Sequence, residues 1–183
     1  MHGTEAPSDW VRRWSPLAPP GSTVLDVACG AGRHLRWMHE HGHPTVGVDR
    51  STDAVAACAA WGDIHCADIE AGPWPFAGRQ FGAVIVTNYL WRPLLPTLVN
   101  SVAPGGVLIY ETFASGNETV GRPARADFLL QPGELLAACA GLRTVAYEDG
   151  FLGSPARFVQ RIAAVRETPH PSQPVRYRLD LAV

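Results

Sequence analysis

The sequence has no lysine: all fifteen cations are arginines, seven before Glu111 and eight after Phe113, against seventeen acids and a formal charge of −2. Neither half is therefore a basic arm, which disfavours a nucleic-acid substrate except through a local patch. Cysteine is scarce, and Cys29, Cys58, Cys66 and Cys139 stand too far apart for the two-residue spacing of a zinc site or a redox dithiol. Reduced, mostly buried thiols are expected. Also missing is an apolar run long enough for a signal peptide or a bilayer span, so a soluble cytoplasmic protein is expected. The chain contains no repeat and no low-complexity tract. A single domain over residues 1–183 follows, with its core from about 14 to 166 and with residues 1–20 and 167–183 peripheral.

What is present is alternation. Short β-branched runs exchange with longer amphipathic stretches, the pattern of βαβ units. The expected strands are 23–28, 45–49, 64–67, 81–87 and 107–113. Between them come helices from Arg33 to His41, from Ser51 to Trp61 and from near Pro93. Pro104, Gly105 and Gly106 read as a turn into the fifth strand. Gln131, Pro132 and Glu134 open a later helix, and residues 142–148 and 157–165 can pair as an antiparallel hairpin, giving seven strands. Residues 114–131 form a long loop of the kind that is usually functional or mobile. The tail after Glu167 is open between an added edge strand and no regular structure.

Asp26, Cys29, Gly30, Ala31, Gly32 and Arg33 lie between the first strand and the first helix. Glycines there let the backbone approach a ligand, and the helix amino terminus favours a negative group. A dinucleotide fingerprint would need glycine at position 35, where Leu35 stands, and this weakens an NAD-dependent oxidoreductase reading. Asp49 ends the second strand, where an acid reaches ribose hydroxyls. Its alternative is a helix cap, but Ser51 and Asp53 already serve that helix start. Asp68 and Ile69 follow the third strand, suited to an adenine amino group and ring, or to a turn acid beside a core residue.

Together, Asp26 with Cys29-Gly30-Ala31-Gly32, Asp49, Asp68-Ile69 and Ala103-Pro104-Gly105-Gly106 resemble, in order, the motifs of class I S-adenosylmethionine-dependent methyltransferases. Within that class the chain is loosely similar to compact tellurite-resistance methyltransferases. The resemblance implies a doubly wound, Rossmann-like α/β three-layer sandwich. Its mostly parallel sheet would be ordered 3-2-1-4-5-7-6, with an antiparallel last strand. It implies S-adenosyl-L-methionine as cofactor and S-adenosyl-L-homocysteine as product. Gly30 and Gly32 would underlie the methionine half, Asp49 would hold the ribose, and Asp68 and Ile69 the adenine. Arg33 could meet the cofactor carboxylate or be an exposed first-turn residue. Asp26, Cys29, Arg50 and Asn88 complete the implied cofactor set. One departure is Gly82, where many relatives carry an acid.

On the acceptor side, Thr87, Asn88, Tyr89, Leu90, Trp91 and Arg92 leave the fourth strand where the strand order reverses. Without the prolines of the amino-methylating signature, adenine and glutamine methylation are disfavoured. Tyr89 and Glu111 are the candidate catalytic groups should the acceptor arrive protonated. Trp91, Arg92, Arg122 and Phe128 are candidate substrate contacts, the last two on the long loop, whose mix suits an anionic or small polar acceptor. His39, His41 and His43 do not share a helix face, so no metal is expected. With no room for a separate substrate domain, a small-molecule acceptor is expected, in a monomer or homodimer. The rival reading is a cofactor-binding partner or regulatory module without catalysis of its own.

Overall fold

A computed structural model of the chain describes residues 6–169 and 173–180, so any reading of 1–5, 170–172 or 181–183 lies outside the described residues. Seven strands form one sheet in the order β3-β2-β1-β4-β5-β7-β6. They are β1 (Val24–Val27), β2 (Thr45–Asp49), β3 (Asp63–Cys66), β4 (Phe81–Thr87), β5 (Val102–Phe113), β6 (Arg143–Gly153) and β7 (Ala156–Val165). The first five pair in parallel, while β7 runs antiparallel to both β5 and β6. The expected order and the reversed last strand are thus both present.

Strand alternation sends side chains to two faces. Leu25, Val27, Val84, Val86, Leu108 and Tyr110 meet Leu98 of α4 (Leu95–Asn100) and Leu135 of α5 (Glu134–Ala138) on one of them. Phe76 joins this layer from the irregular segment after β3, where prolines and glycines replace a helix. Val24, Ala83, Ile85, Val107, Ile109 and Ala163 meet α1 (Asp9–Trp14) and Met38 of α2 (Arg33–Glu40) on the other. Cys58 of α3 (Thr52–Cys58) packs on Leu35 of α2 and extends this second layer. Among the described residues no helix is long and apolar enough to cross a membrane.

The amino-terminal stretch is not peripheral, and here the expectation is corrected. Ser8 accepts from the Trp10 amide at 3.1 Å and caps α1, whose Trp10, Val11 and Trp14 are buried against the sheet. That spacing puts all three on one helical face. Two elements also run longer than expected. β5 begins at Val102 because the Pro104-Gly105-Gly106 turn is absorbed as an irregularity opposite Phe81 and Ala83. β6 extends to Gly153, so the hairpin overhangs the end of β5. No described tail residue joins the sheet: Tyr177 lies under Arg143, and Arg13 donates to the Leu179 carbonyl. Gly82 also has a reason. A Cβ there would lie 2.0 Å from the Ser22 hydroxyl, so no side chain fits at the position where an acid is absent.

Candidate active site

At the carboxyl end of β1 the backbone turns left-handed at Ala28 (φ 53°), Gly30 (φ 54°) and Gly32 (φ 79°). Gly32 has a second constraint, since a Cβ would stand 2.4 Å from that of Cys58. The loop is held from β2. Asp49 Oδ2 accepts from the Gly30 amide at 2.9 Å, and Oδ1 from the Ser51 amide at 2.9 Å. Ser51, not Asp49, caps α3 by accepting from the Ala54 amide. Asp49 therefore sets the glycine loop's position, and each of its oxygens retains a lone pair for a ligand hydroxyl.

Two cavities open here and share Ala28. One, of about 130 Å³, is lined by Asp49, Arg50, Ala67, Asp68, Ile69, Glu70 and Tyr89. The other, of about 240 Å³, is lined by Cys29, Gly30, Ala31, Arg33, His34, Thr87 and Asn88. Apolar walls with an acidic rim suit a nucleoside in the first, and exposed loop backbone with an arginine suits an amino-acid moiety in the second. All ten residues expected to bind cofactor except Gly32 and the buried Asp26 line one or the other. Asp68 also closes a turn, with Oδ1 accepting from the Ala71 and Glu70 amides, which hold its carboxyl below the usual range. A larger cleft of about 530 Å³, between α4 and α5, lies away from the glycine loop.

Behind the second cavity runs a buried polar row. Asp26 Oδ2 has no hydrogen-bond partner and lies 3.8 Å from His34 Nδ1. Burial pushes the Asp26 carboxyl up to about 8 and the His34 imidazole down to about 3, so they meet as neutral groups and not as an ion pair. His34 Nε2 accepts from the Ser8 amide at 3.2 Å, which leaves the ring proton on Nδ1, toward Asp26. The Ser8 hydroxyl donates to Glu111 Oε1 at 3.0 Å, and Arg161 donates to Glu111 Oε2 at 3.2 Å and to Glu148 at 2.7 Å. Ser8 and Arg161 were not singled out in the sequence, and His34, a lone histidine near the expected cofactor rim, reads there as structural and earns no role. Their partners stand up to 103 positions away, and only the serine cap of α1 carried a local signal.

The two candidate bases are placed apart. Tyr89 turns into the first of the two cavities, where its buried hydroxyl has no hydrogen-bond partner and desolvation raises its pKa. A phenol that holds its proton more tightly than usual is a poor base at neutral pH. Glu111 is buried, and both its oxygens are engaged by Ser8 and Arg161.

Arg92, expected as a substrate contact, is engaged within the chain at the edge of the cleft between α4 and α5. It pairs bidentately with Glu134 at 2.7 and 3.0 Å and donates to the Asp127 and Leu129 carbonyls at 2.8 Å. The long loop is thereby tied down, and its ends are closed by Ser115 on Leu130 and Leu130 on Phe113. Trp91 and Phe128 are exposed, the latter under the Arg125 guanidinium. Arg122 is also exposed. Cys29 and Cys58 are buried with raised pKa values, as expected of inert thiols.

Residues 9–100 match the family described as methionine biosynthesis protein MetW. The chain belongs to this family. Over 155 residues the MetW-family chain is 26% identical to the malonyl-[acyl-carrier protein] O-methyltransferase of Serratia marcescens, covering 71% of this chain and 60% of that one. It is 30% identical over 126 residues to the tRNA U34 carboxymethyltransferase of Klebsiella pneumoniae, covering 60% of this chain and 37% of the other. The chain thus spans less than two thirds of the length of these curated relatives. Among solved structures, TehB from Haemophilus influenzae superposes with a TM-score of 0.71 at 18% identity, over 90% of this chain and 63% of TehB. The N-methyltransferase NodS from Bradyrhizobium japonicum gives 0.63 at 17% identity, over 85% of this chain and 92% of NodS. The fold is that of class I S-adenosylmethionine-dependent methyltransferases.

Proposed function

We propose that this MetW-family chain is a methyltransferase that binds S-adenosylmethionine across the two cavities and methylates a small-molecule acceptor. The observation that carries the reading is the pair of cavities joined at Ala28, with Asp49 at the boundary fixing the glycine loop and keeping lone pairs for hydroxyls. Ile69 and Tyr89 wall the adenine, Asp68 and Arg50 stand at its rim, and Arg33 and Asn88 line the methionine half. Asp26, buried behind the loop opposite His34, lines neither cavity and stands one layer back from them.

Bound there, the cofactor supplies an electrophilic methyl on a sulfonium, and the leaving thioether needs no proton. The chain's own residues have to align the nucleophile and exclude water, and such positioning lowers barriers by roughly 7 to 11 kcal/mol. Thr87 and Asn88 lie at the mouth of β4, with the Asn88 amide fixed on the Glu111 carbonyl at 3.0 Å. Glu111 acts as a positioning residue, joining the amino-terminal segment to the acceptor side through Ser8. Exclusion of water falls to α1 and the tied-down loop.

Calorimetric titration of adenosylmethionine and its demethylated product into wild type and Asp49→Ala tests the reading. Charge-assisted hydrogen bonds of roughly 1.5 to 3 kcal/mol correspond to about tenfold to a hundredfold weaker binding in the variant. No binding to folded wild type, or binding of NAD in its place, overturns the proposal.

A further inference from the structure

The segment that leaves β3 bends sharply beside the first cavity, and Asp68 makes the bend. Its Oδ1 accepts from the amides of Glu70 at 2.9 Å and Ala71 at 3.1 Å, and its carbonyl accepts from the Gly72 amide at 2.8 Å. A Cβ on Gly72 would stand 2.7 Å from that carbonyl, so the bend closes where no side chain fits. Side-chain bonds of this kind fix the backbone whether or not a ligand is present. Asp68, expected to hold an adenine amino group, thus has one of its two oxygens already shared between two amides.

Glu70 is what the bend presents. It lines the same cavity of about 130 Å³ as Asp49, Asp68, Ile69 and Tyr89. Among the described residues, no amide and no guanidinium bonds to its carboxylate. Burial first, and the Glu70 carboxylate next, make the Tyr89 phenol hold its proton more tightly than usual, which puts that carboxylate beside the phenol at the cavity wall. An ionised carboxylate accepts hydrogen bonds and donates none. The amino group of adenine offers two N–H donors, whereas hypoxanthine carries an acceptor oxygen at the same place. A carboxylate at the wall therefore favours the first base and repels the second.

We infer that Glu70 is the specificity-determining residue for the cofactor's base, accepting from the adenine amino group, and that Asp68 is a positioning residue that holds Glu70 in place. The inference rests on the cofactor reading above. Calorimetric titration of the full chain with S-adenosylhomocysteine and S-inosylhomocysteine gives the ratio of their affinities. Wild type should prefer the adenosyl compound by about tenfold or more. Glu70→Gln, whose amide can donate to the hypoxanthine oxygen, should bring the two affinities together while melting at the same temperature as wild type. Asp68→Asn keeps an oxygen for the two turn amides and should retain the wild-type ratio. An unchanged ratio in Glu70→Gln, or a ratio that collapses in Asp68→Asn, overturns the assignment. Equal binding of the two compounds by wild type does so too, whereas binding of neither overturns the cofactor reading itself.

Discussion

Asp26 and His34 are buried side by side with opposite consequences for pH. The folded chain holds the Asp26 proton up to about pH 8, against an ordinary value of 3.8. Its contribution to stability is complete below 3.8 and is lost as pH rises toward 8. His34 runs the other way, from 6.5 down to about 3, so its contribution is present above 6.5 and is lost as pH falls. Between pH 6.5 and 8 only Asp26 changes. Wild type should lose stability across that window, by at most about 1.4 kcal/mol per pH unit, and Asp26→Asn should not. Melting temperature against pH compares them, and equal slopes would show that Asp26 is already ionised in the fold. Gly32 carries a steric constraint. Gly32→Ala adds a methyl against Cys58 in left-handed backbone and should cost about 1–3 kcal/mol, read by urea unfolding. The glycine loop and its acids were legible in the sequence because their spacing is local. The neutral state of Asp26 was not, since it depends on burial.

Two elements took roles that their sequences only partly announced. The first is α1, whose Ser8 cap and Trp10–Val11–Trp14 face are recognisable once sought, but six residues fall below the length at which periodicity stands out. Trp10 packs on the sheet, donates to the Ile162 carbonyl and lies under Arg161. Trp10→Ala should destabilise by about 3–5 kcal/mol, measured by chemical denaturation. A surface-like loss well below 1 kcal/mol would mean that α1 is dispensable to the core. The second is the loop over 114–131, whose length marked it as functional or mobile. Four hydrogen bonds from Arg92 to Glu134, Asp127 and Leu129 hold it instead. Arg92→Ala should open residues 117–131 to limited proteolysis while leaving the sheet resistant. Unchanged cleavage would mean that the loop's end hydrogen bonds suffice.

For the molecule as a whole, a ligand that binds only the folded state raises stability in proportion to its saturation, by about 2.7 kcal/mol at a hundred times Kd. For a chain of this size that corresponds to a melting shift of roughly 5–10 °C. S-adenosylhomocysteine should produce that shift in wild type, Asp49→Ala should reduce it, and NAD should produce none. Scanning fluorimetry decides among these outcomes.

Local chemistry was enough to determine the strands, the glycine turn, the order of the motifs and the reversed hairpin, because each depends on residues a few positions apart whose periodicity and turn chemistry act within one element. Only the tertiary structure decided that Asp49 pins the glycine loop, that Tyr89 lines one cavity with Asp49 and Asp68, that Arg92 is a brace and that Ser8 joins His34 to Glu111. Those outcomes depend on which side chains a folded sheet brings together across tens to a hundred residues. There, burial and hydrogen-bond satisfaction, which no single segment contains, select the partners.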